Sequence, residues 1–194
     1  MPRATRVAVL VGSLRKESFS RKIALTLKDL AGPALELDLV ELGRLPLYSE
    51  DEDSSTPPPA WVTFRQAVAG ADALLFVTPE YNRSVPGCLK NAIDVGSRPY
   101  GKSVWAGKPG AVVSVSPGAL GGFGANHHLR QSLVFLDVPV LAQPELYLGG
   151  IVHALDAEGR LTDRAIRTLL EKFVSAFTGW IAANPVPREV PHAA

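Results

Sequence analysis

The chain of 194 residues predicts a doubly wound α/β domain, a five-stranded parallel sheet with helices on both faces. Three observations predict it. Short apolar, β-branched runs recur without polar alternation, as expected of strands covered on both sides. Segments with apolar residues at helical spacing separate them. The connections are short, with no internal repeat and no second block of composition. Residues 1–184 are therefore expected to form one domain, with 185–194 as a short tail.

The elements follow in order. Val7 to Val11 reads as a buried central strand, and after a polar segment Ser20 is placed to cap a helix carrying Ile23, Ala24, Leu27 and Leu30. Gly32-Pro33 ends that helix, and Leu35, Leu37 and Leu39 alternate with Glu36, Asp38 and Val40 in a less buried strand. Pro46 to Pro59 reads as a long surface loop, its acidic run Glu50 to Asp53 as a solvated face rather than a metal site. A helix over Trp61 to Ala69 leads to the strand Ala73 to Thr78, then a loop to Gly87 and a helix over Leu89 to Val95. Ala111 to Val115 is the fourth strand, Gly118 to Gly124 a Gly-rich loop, and Asn126 to Leu136 a helix. Val138 to Leu141 is expected as the last strand, extended by Pro144 to Leu148. Asp163 opens an amphipathic helix whose stripe of Ile166, Leu169, Leu170, Phe173, Val174, Phe177, Trp180 and Ile181 faces the core.

Composition excludes several classes of partner. Lysine and arginine number 20 against 19 acidic residues, so no bulk field favours nucleic acid. The single cysteine, Cys88, excludes an internal disulfide and a multi-cysteine metal site, and fits a reducing compartment. Met1 to Arg6 leads into an apolar run too short for a signal peptide or a membrane span, so the expected location is the cytoplasm. His127 and His128 are adjacent, diverge on a helix and lack a third ligand at recognisable spacing, so no metal site is expected.

In doubly wound sheets of strand order 2-1-3-4-5, ligands bind outside the carboxyl ends of the strands, where the order reverses between the first and third. The first junction is Gly12-Ser-Leu-Arg-Lys-Glu-Ser-Phe-Ser20. It lacks the dinucleotide fingerprint and the Walker loop, yet offers hydroxyls at Ser13, Ser18 and Ser20 and a guanidinium at Arg15. A phosphate dianion needs convergent donors, which a helix amino end and an arginine supply together. The alternative is that Ser18 and Ser20 only cap the helix while Arg15 is solvated. A phosphoacceptor receiver domain is excluded, because Val11-Gly12 and Thr78-Pro79 stand where it needs acids. A serine hydrolase using Ser13 is unsupported, with neither a Gly-x-Ser-x-Gly elbow nor an Asp-x-x-His element.

The third junction, Thr78-Pro-Glu-Tyr-Asn-Arg-Ser-Val-Pro-Gly87, is stiffened by its prolines, and its Tyr81 and Asn82 suit a flat ring with polar edges. The fourth, Val115-Ser-Pro-Gly-Ala-Leu-Gly-Gly-Phe-Gly124, carries glycines that let backbone approach a ligand closely. Taken with Cys88-Leu-Lys-Asn-Ala-Ile-Asp94 and His128-Leu-Arg130, these motifs resemble the NADPH-dependent FMN reductase family, nearest its bacterial quinone and chromate reductase branch, from about Arg6 to Ala183.

The resemblance implies a flavodoxin-like fold and an FMN-dependent oxidoreductase that passes hydride from NADPH or NADH through flavin N5 to a quinone, chromate, an azo compound or free flavin. Ser13, Arg15, Ser18, Phe19 and Ser20 would hold the FMN phosphate, and Leu14 of the same loop would also bind the cofactor. Pro79, Glu80, Tyr81 and Asn82 would contact the ring and ribityl chain, and Val115 and Ser116 would lie along the flavin edge. No side chain is implied as catalytic; the N–H groups of Tyr81 and Asn82 would stabilise the reduced flavin, and donor and acceptor would share one site. Two departures are Ser20, where relatives often carry asparagine, and Pro117, which removes an amide donor. A homodimer or homotetramer is also implied. The contrasting reading is a flavodoxin-type electron carrier, against which the near-zero charge argues; a flavin-free domain is the third. Cys88 reads as a small packed residue.

Overall fold

In the computed structural model, which describes residues 3–186, side-chain alternation along the strands feeds two separate cores. The strands are β1 (Thr5–Val11), β2 (Leu35–Val40), β3 (Ala73–Thr78), β4 (Gly110–Val115) and β5 (Leu146–Leu148). They lie in the order β2-β1-β3-β4-β5 with every pairing parallel. Val7, Val9 and Val11 of β1 and Leu75 and Val77 of β3 pack against α1 (Phe19–Leu30) and α5 (Arg164–Ala183). Ala8 and Leu10, with Leu74 and Phe76, face the other way, onto α2 (Pro59–Ala69), α3 (Gly87–Gly96) and α4 (Phe123–Phe135). This is the expected doubly wound, flavodoxin-like arrangement.

Several boundaries differ from the sequence reading. Ser18, not Ser20, is the N-cap of α1, its Oγ accepting from Arg21 N–H at 3.1 Å. α4 begins at Phe123, three residues early, because Gly122 at φ +79° supplies the left-handed residue that turns the loop into the helix. The last strand is Leu146–Leu148; the segment 138–141 makes only a single bridge, Val140 to Gly110. Around that bridge Pro139 O accepts from Gly110 N–H and Leu141 N–H donates to Gly110 O, and pairing with β4 resumes only beyond Pro144. On α5, Leu170, Phe173, Phe177 and Ile181 are buried as expected, whereas Leu169 is exposed. The proposed tail is described only as far as residue 186, and 187–194 lie outside the described residues.

The loop before α2 is more tightly held than its composition suggests. Asp53 is almost wholly buried and takes both oxygens to Arg65, at 2.8 and 2.9 Å, so the acidic run is a solvated face only through Glu52. Asn91 on α3 accepts from Tyr48 N–H and donates to Pro46 O, and Trp61 Nε1 donates to the same carbonyl. A cavity of about 610 Å³ opens between β2 and α2, lined by Ala8, Val40, Phe64, Ala67 and the rim residues Arg6, Asp38 and Arg44. It lies beside the β2 edge, away from the β1 and β3 junctions. Phe76 is fully buried at the sheet centre, 6.0 Å between ring centroids from Trp105. Phe76→Ala is expected to destabilise the fold by about 3–5 kcal/mol, read as a lower urea midpoint at unchanged slope.

Candidate functional site

Where β1 and β3 end, their loops diverge toward opposite faces of the sheet and leave a cleft. Gly12 sits at this parting, its N–H donating to Val77 O at 2.9 Å. A Cβ on Gly12 would stand 2.5 Å from Thr78 Oγ1, a fully buried hydroxyl that donates to Pro79 O. The two loops therefore pack closely at their root only because residue 12 is glycine.

The cleft encloses about 230 Å³ and is lined by Ser13, Arg15, Phe19, Ser20, Pro79, Glu80, Tyr81, Val115, Ser116 and Pro117. Most of the residues singled out from the sequence thus converge, and Pro117 joins them. Leu14 instead lines a neighbouring recess of about 400 Å³ with Pro86, Gly87 and Cys88; Arg15 and Tyr81 border both spaces. Ser18 is buried beneath the loop as the helix cap, and Asn82 projects at an exposed turn tip with φ +51°.

At the α1 amino end, Ser18 satisfies Arg21 N–H, which leaves the N–H groups of Phe19 and Ser20 without an intrahelical acceptor. The guanidinium of Arg15 lies 5.9 Å from the Phe19 ring centroid. None of the ion pairs among the described residues involves it. Free amides, two hydroxyls and an unneutralised cation form a donor set suited to a dianionic phosphate, and the walls of Pro79, Tyr81 and Val115 suit the flat ring of FMN.

The third junction is shaped by a tight turn. Asn82 and Arg83 both have positive φ, the type I′ pattern, and Tyr81 and Ser84 exchange N–H···O bonds of 3.1 and 3.0 Å. This corrects one expectation: the Tyr81 N–H is already committed to Ser84 O, so of the two amides only that of Asn82 remains to donate. The Glu80 carboxylate turns toward α4 and accepts from Ala125 N–H at 3.0 Å; Ser84 Oγ meets His128 Nδ1 at 3.0 Å. Sequence reading missed both contacts, which join residues 45 and 44 positions apart. At the fourth junction Ser116 Oγ accepts from Gly118 N–H, and Ser116 N–H donates to Leu148 O, fixing that wall to β5.

Cys88 is half-buried, and burial pushes its thiol up, away from the reactive thiolate. His127 bonds to Tyr147 beside Phe123, and burial followed by the nearby Glu145 pushes the Tyr147 phenol up to about 12. Among the described residues no group of three or more His, Cys, Asp or Glu side chains converges as a metal site would require, and no helix is long and apolar enough to cross a membrane.

Residues 5–153 match the family model of the NADPH-dependent FMN reductases. The chain belongs to that family. Membership makes it an NAD(P)H-dependent flavoprotein oxidoreductase with FMN as its flavin. Similar family proteins include a quinone reductase of Pseudomonas putida, 59% identical over 184 residues that cover 95% of this chain and 98% of that one. A 2-hydroxy-1,4-benzoquinone reductase of a Burkholderia species is 46% identical, covering 92% and 97%. Among solved structures, the flavoenzyme NAD(P)H:(acceptor) oxidoreductase FerB of Paracoccus denitrificans superposes with a TM-score of 0.88 at 40% identity, over 94% of this chain and all of that one.

Gly12→Ala is expected to destabilise the apoprotein by about 1–3 kcal/mol, because Thr78 cannot retreat within a packed strand. Denaturant unfolding without added flavin checks this; an unchanged midpoint would show that the junction yields easily.

Proposed function

We propose that this FMN reductase delivers electrons from NAD(P)H to quinones, with FMN seated in the cleft between the β1, β3 and β4 loops. The observation that carries the reading is the convergence of Ser13, Arg15, Phe19 and Ser20 with Pro79 to Tyr81 and Val115-Ser116 around one cleft. In this reading Arg15, the Ser13 and Ser20 hydroxyls and the Phe19 and Ser20 amides bind the phosphate, while Ser18 holds the helix end in place. Leu14 extends the apolar wall into the neighbouring recess. Pro79 and Tyr81 line the ring face, the N–H of Asn82 at the neighbouring turn tip is assigned to its polar edge, and Val115 and Ser116 close the other side. Bound FMN supplies the two-electron hydride chemistry.

The cleft and the recess share Arg15 and Tyr81, and residues 1–184 are read as one FMN-binding domain with 185–194 as its tail. Donor and acceptor therefore use one opening in turn, which gives ping-pong kinetics. Chromate, azo compounds and free flavin are further candidate acceptors, since a solvent-facing flavin transfers electrons to whatever reaches it. The single half-buried thiol fits the cytoplasm. We place self-association on the carboxyl end of α4, where Val134 and Phe135 are 75% and 87% exposed.

Three experiments test these readings. Anaerobic addition of NADPH or NADH to the FMN-reconstituted protein is expected to bleach the flavin, and Arg15→Ala to weaken FMN binding ~10- to 100-fold. Flavin that binds without bleaching would fit a one-electron carrier instead. Phe135→Asp is expected to reduce the mass in light scattering while leaving the circular dichroism spectrum unchanged; an assembly of undiminished mass would move the contact off α4.

A further inference from the structure

α4 starts without a side-chain cap of its own. Its N-cap is Gly122, which has no side chain, so the amide at the third helical position, Ala125, needs an acceptor from elsewhere. That acceptor is Glu80, on the β3 loop and 14% exposed, whose Oε2 takes Ala125 N–H at 3.0 Å while Oε1 lies 3.6 Å from Arg83 Nη1. A carboxylate here also faces the favourable end of the helix dipole. One turn along the same helix face, His128 meets Ser84 at 3.0 Å. The two contacts bracket the turn Tyr81–Ser84, whose central residues Asn82 and Arg83 are both non-glycine at positive φ. Such a conformation persists only where its surroundings over-determine it. The packing leaves no slack: a Cβ on Gly124 would stand 2.9 Å from Glu80 Oε2 and 2.8 Å from the Arg83 carbonyl.

We infer that Glu80 is a positioning residue: it anchors the strained Tyr81–Ser84 turn to the amino end of α4, and so sets where Tyr81 stands in the flavin cleft and Asn82 at its margin. The sequence reading put Glu80 among the flavin contacts. Glu80 lines the cleft, and its carboxylate is held by Ala125 N–H and Arg83; in this inference its effect on FMN travels through the backbone of the turn. This inference rests on the proposed seating of FMN against Tyr81 and Asn82. A bond accepted by a side-chain oxygen is kept by glutamine and lost by alanine, so the two substitutions separate the anchor from the charge.

The test combines two readouts on Glu80→Ala, Glu80→Gln and Gly124→Ala: amide hydrogen exchange over residues 81–84 and at Ala125 in the apoprotein, and FMN affinity from fluorescence quenching. Glu80→Ala is expected to speed exchange at these amides and raise the FMN Kd about tenfold, the scale of one lost charged hydrogen bond. Glu80→Gln is expected to stay within about twofold of the parent, because its carbonyl replaces the accepting oxygen. Gly124→Ala pushes the turn from the helix side and is expected to reproduce the alanine result, which keeps the test decisive if Glu80→Ala does not fold. Unchanged exchange in Glu80→Ala or Gly124→Ala overturns the anchor. A glutamine variant as impaired as alanine overturns the hydrogen-bond role. Faster exchange with unchanged FMN affinity overturns the flavin seating on this loop.

Discussion

Parallel pairing is the constraint on which the rest depends. Because all five strands run the same way, their carboxyl ends and the loops that follow crowd one edge of the sheet. β1 lies between β2 and β3, so the chain leaves β1 toward one face for α1 and leaves β3 toward the other for α3. Backbone that diverges in this way cannot fill the space between its loops, and a cleft is the geometric result. The same parallel pairing requires both faces to be covered, which explains the apolar strands and two cores of similar make-up.

The loops are held by unlike means. The first relies on a helix cap and a close approach at Gly12; the third is a strained turn fixed from outside by α4; the fourth is tied to the short strand β5 through Ser116. Three supports drawn from three parts of the chain place the walls of one cleft. A short edge strand of three residues matters here because it is where the β4 loop finds its acceptor, Leu148 O.

The strands and the helical faces are legible in the sequence because burial on two faces writes long apolar runs, and Val7 to Val11 or Ala73 to Thr78 admit little else, whereas the order of the strands is implied only by the flavodoxin-like resemblance. The cleft was legible because three polar or glycine-rich loops follow three such runs. Other features were not. Asp53 looked solvated because its neighbours are acidic; only the fold brings Arg65 to it. Glu80 lines the cleft as its motif suggests, but no local pattern shows that its carboxylate also serves α4, which lacks a cap 45 residues later. Val138 to Leu141 reads as a strand because it is apolar, but it pairs only at Val140, and the strand proper lies in the expected extension, at Leu146–Leu148. Local signals survive the reading of a sequence; pairings between distant groups do not.

The cavity between β2 and α2 has its own consequence. Its lining includes three small residues, Ala8, Ala60 and Ala67. Ridges there are too low to meet the sheet, so α2 leaves the margin of β2 thinly covered. For an engineer this is spare volume remote from the cofactor loops: larger side chains could be introduced at that margin to raise heat resistance while the catalytic edge keeps its shape.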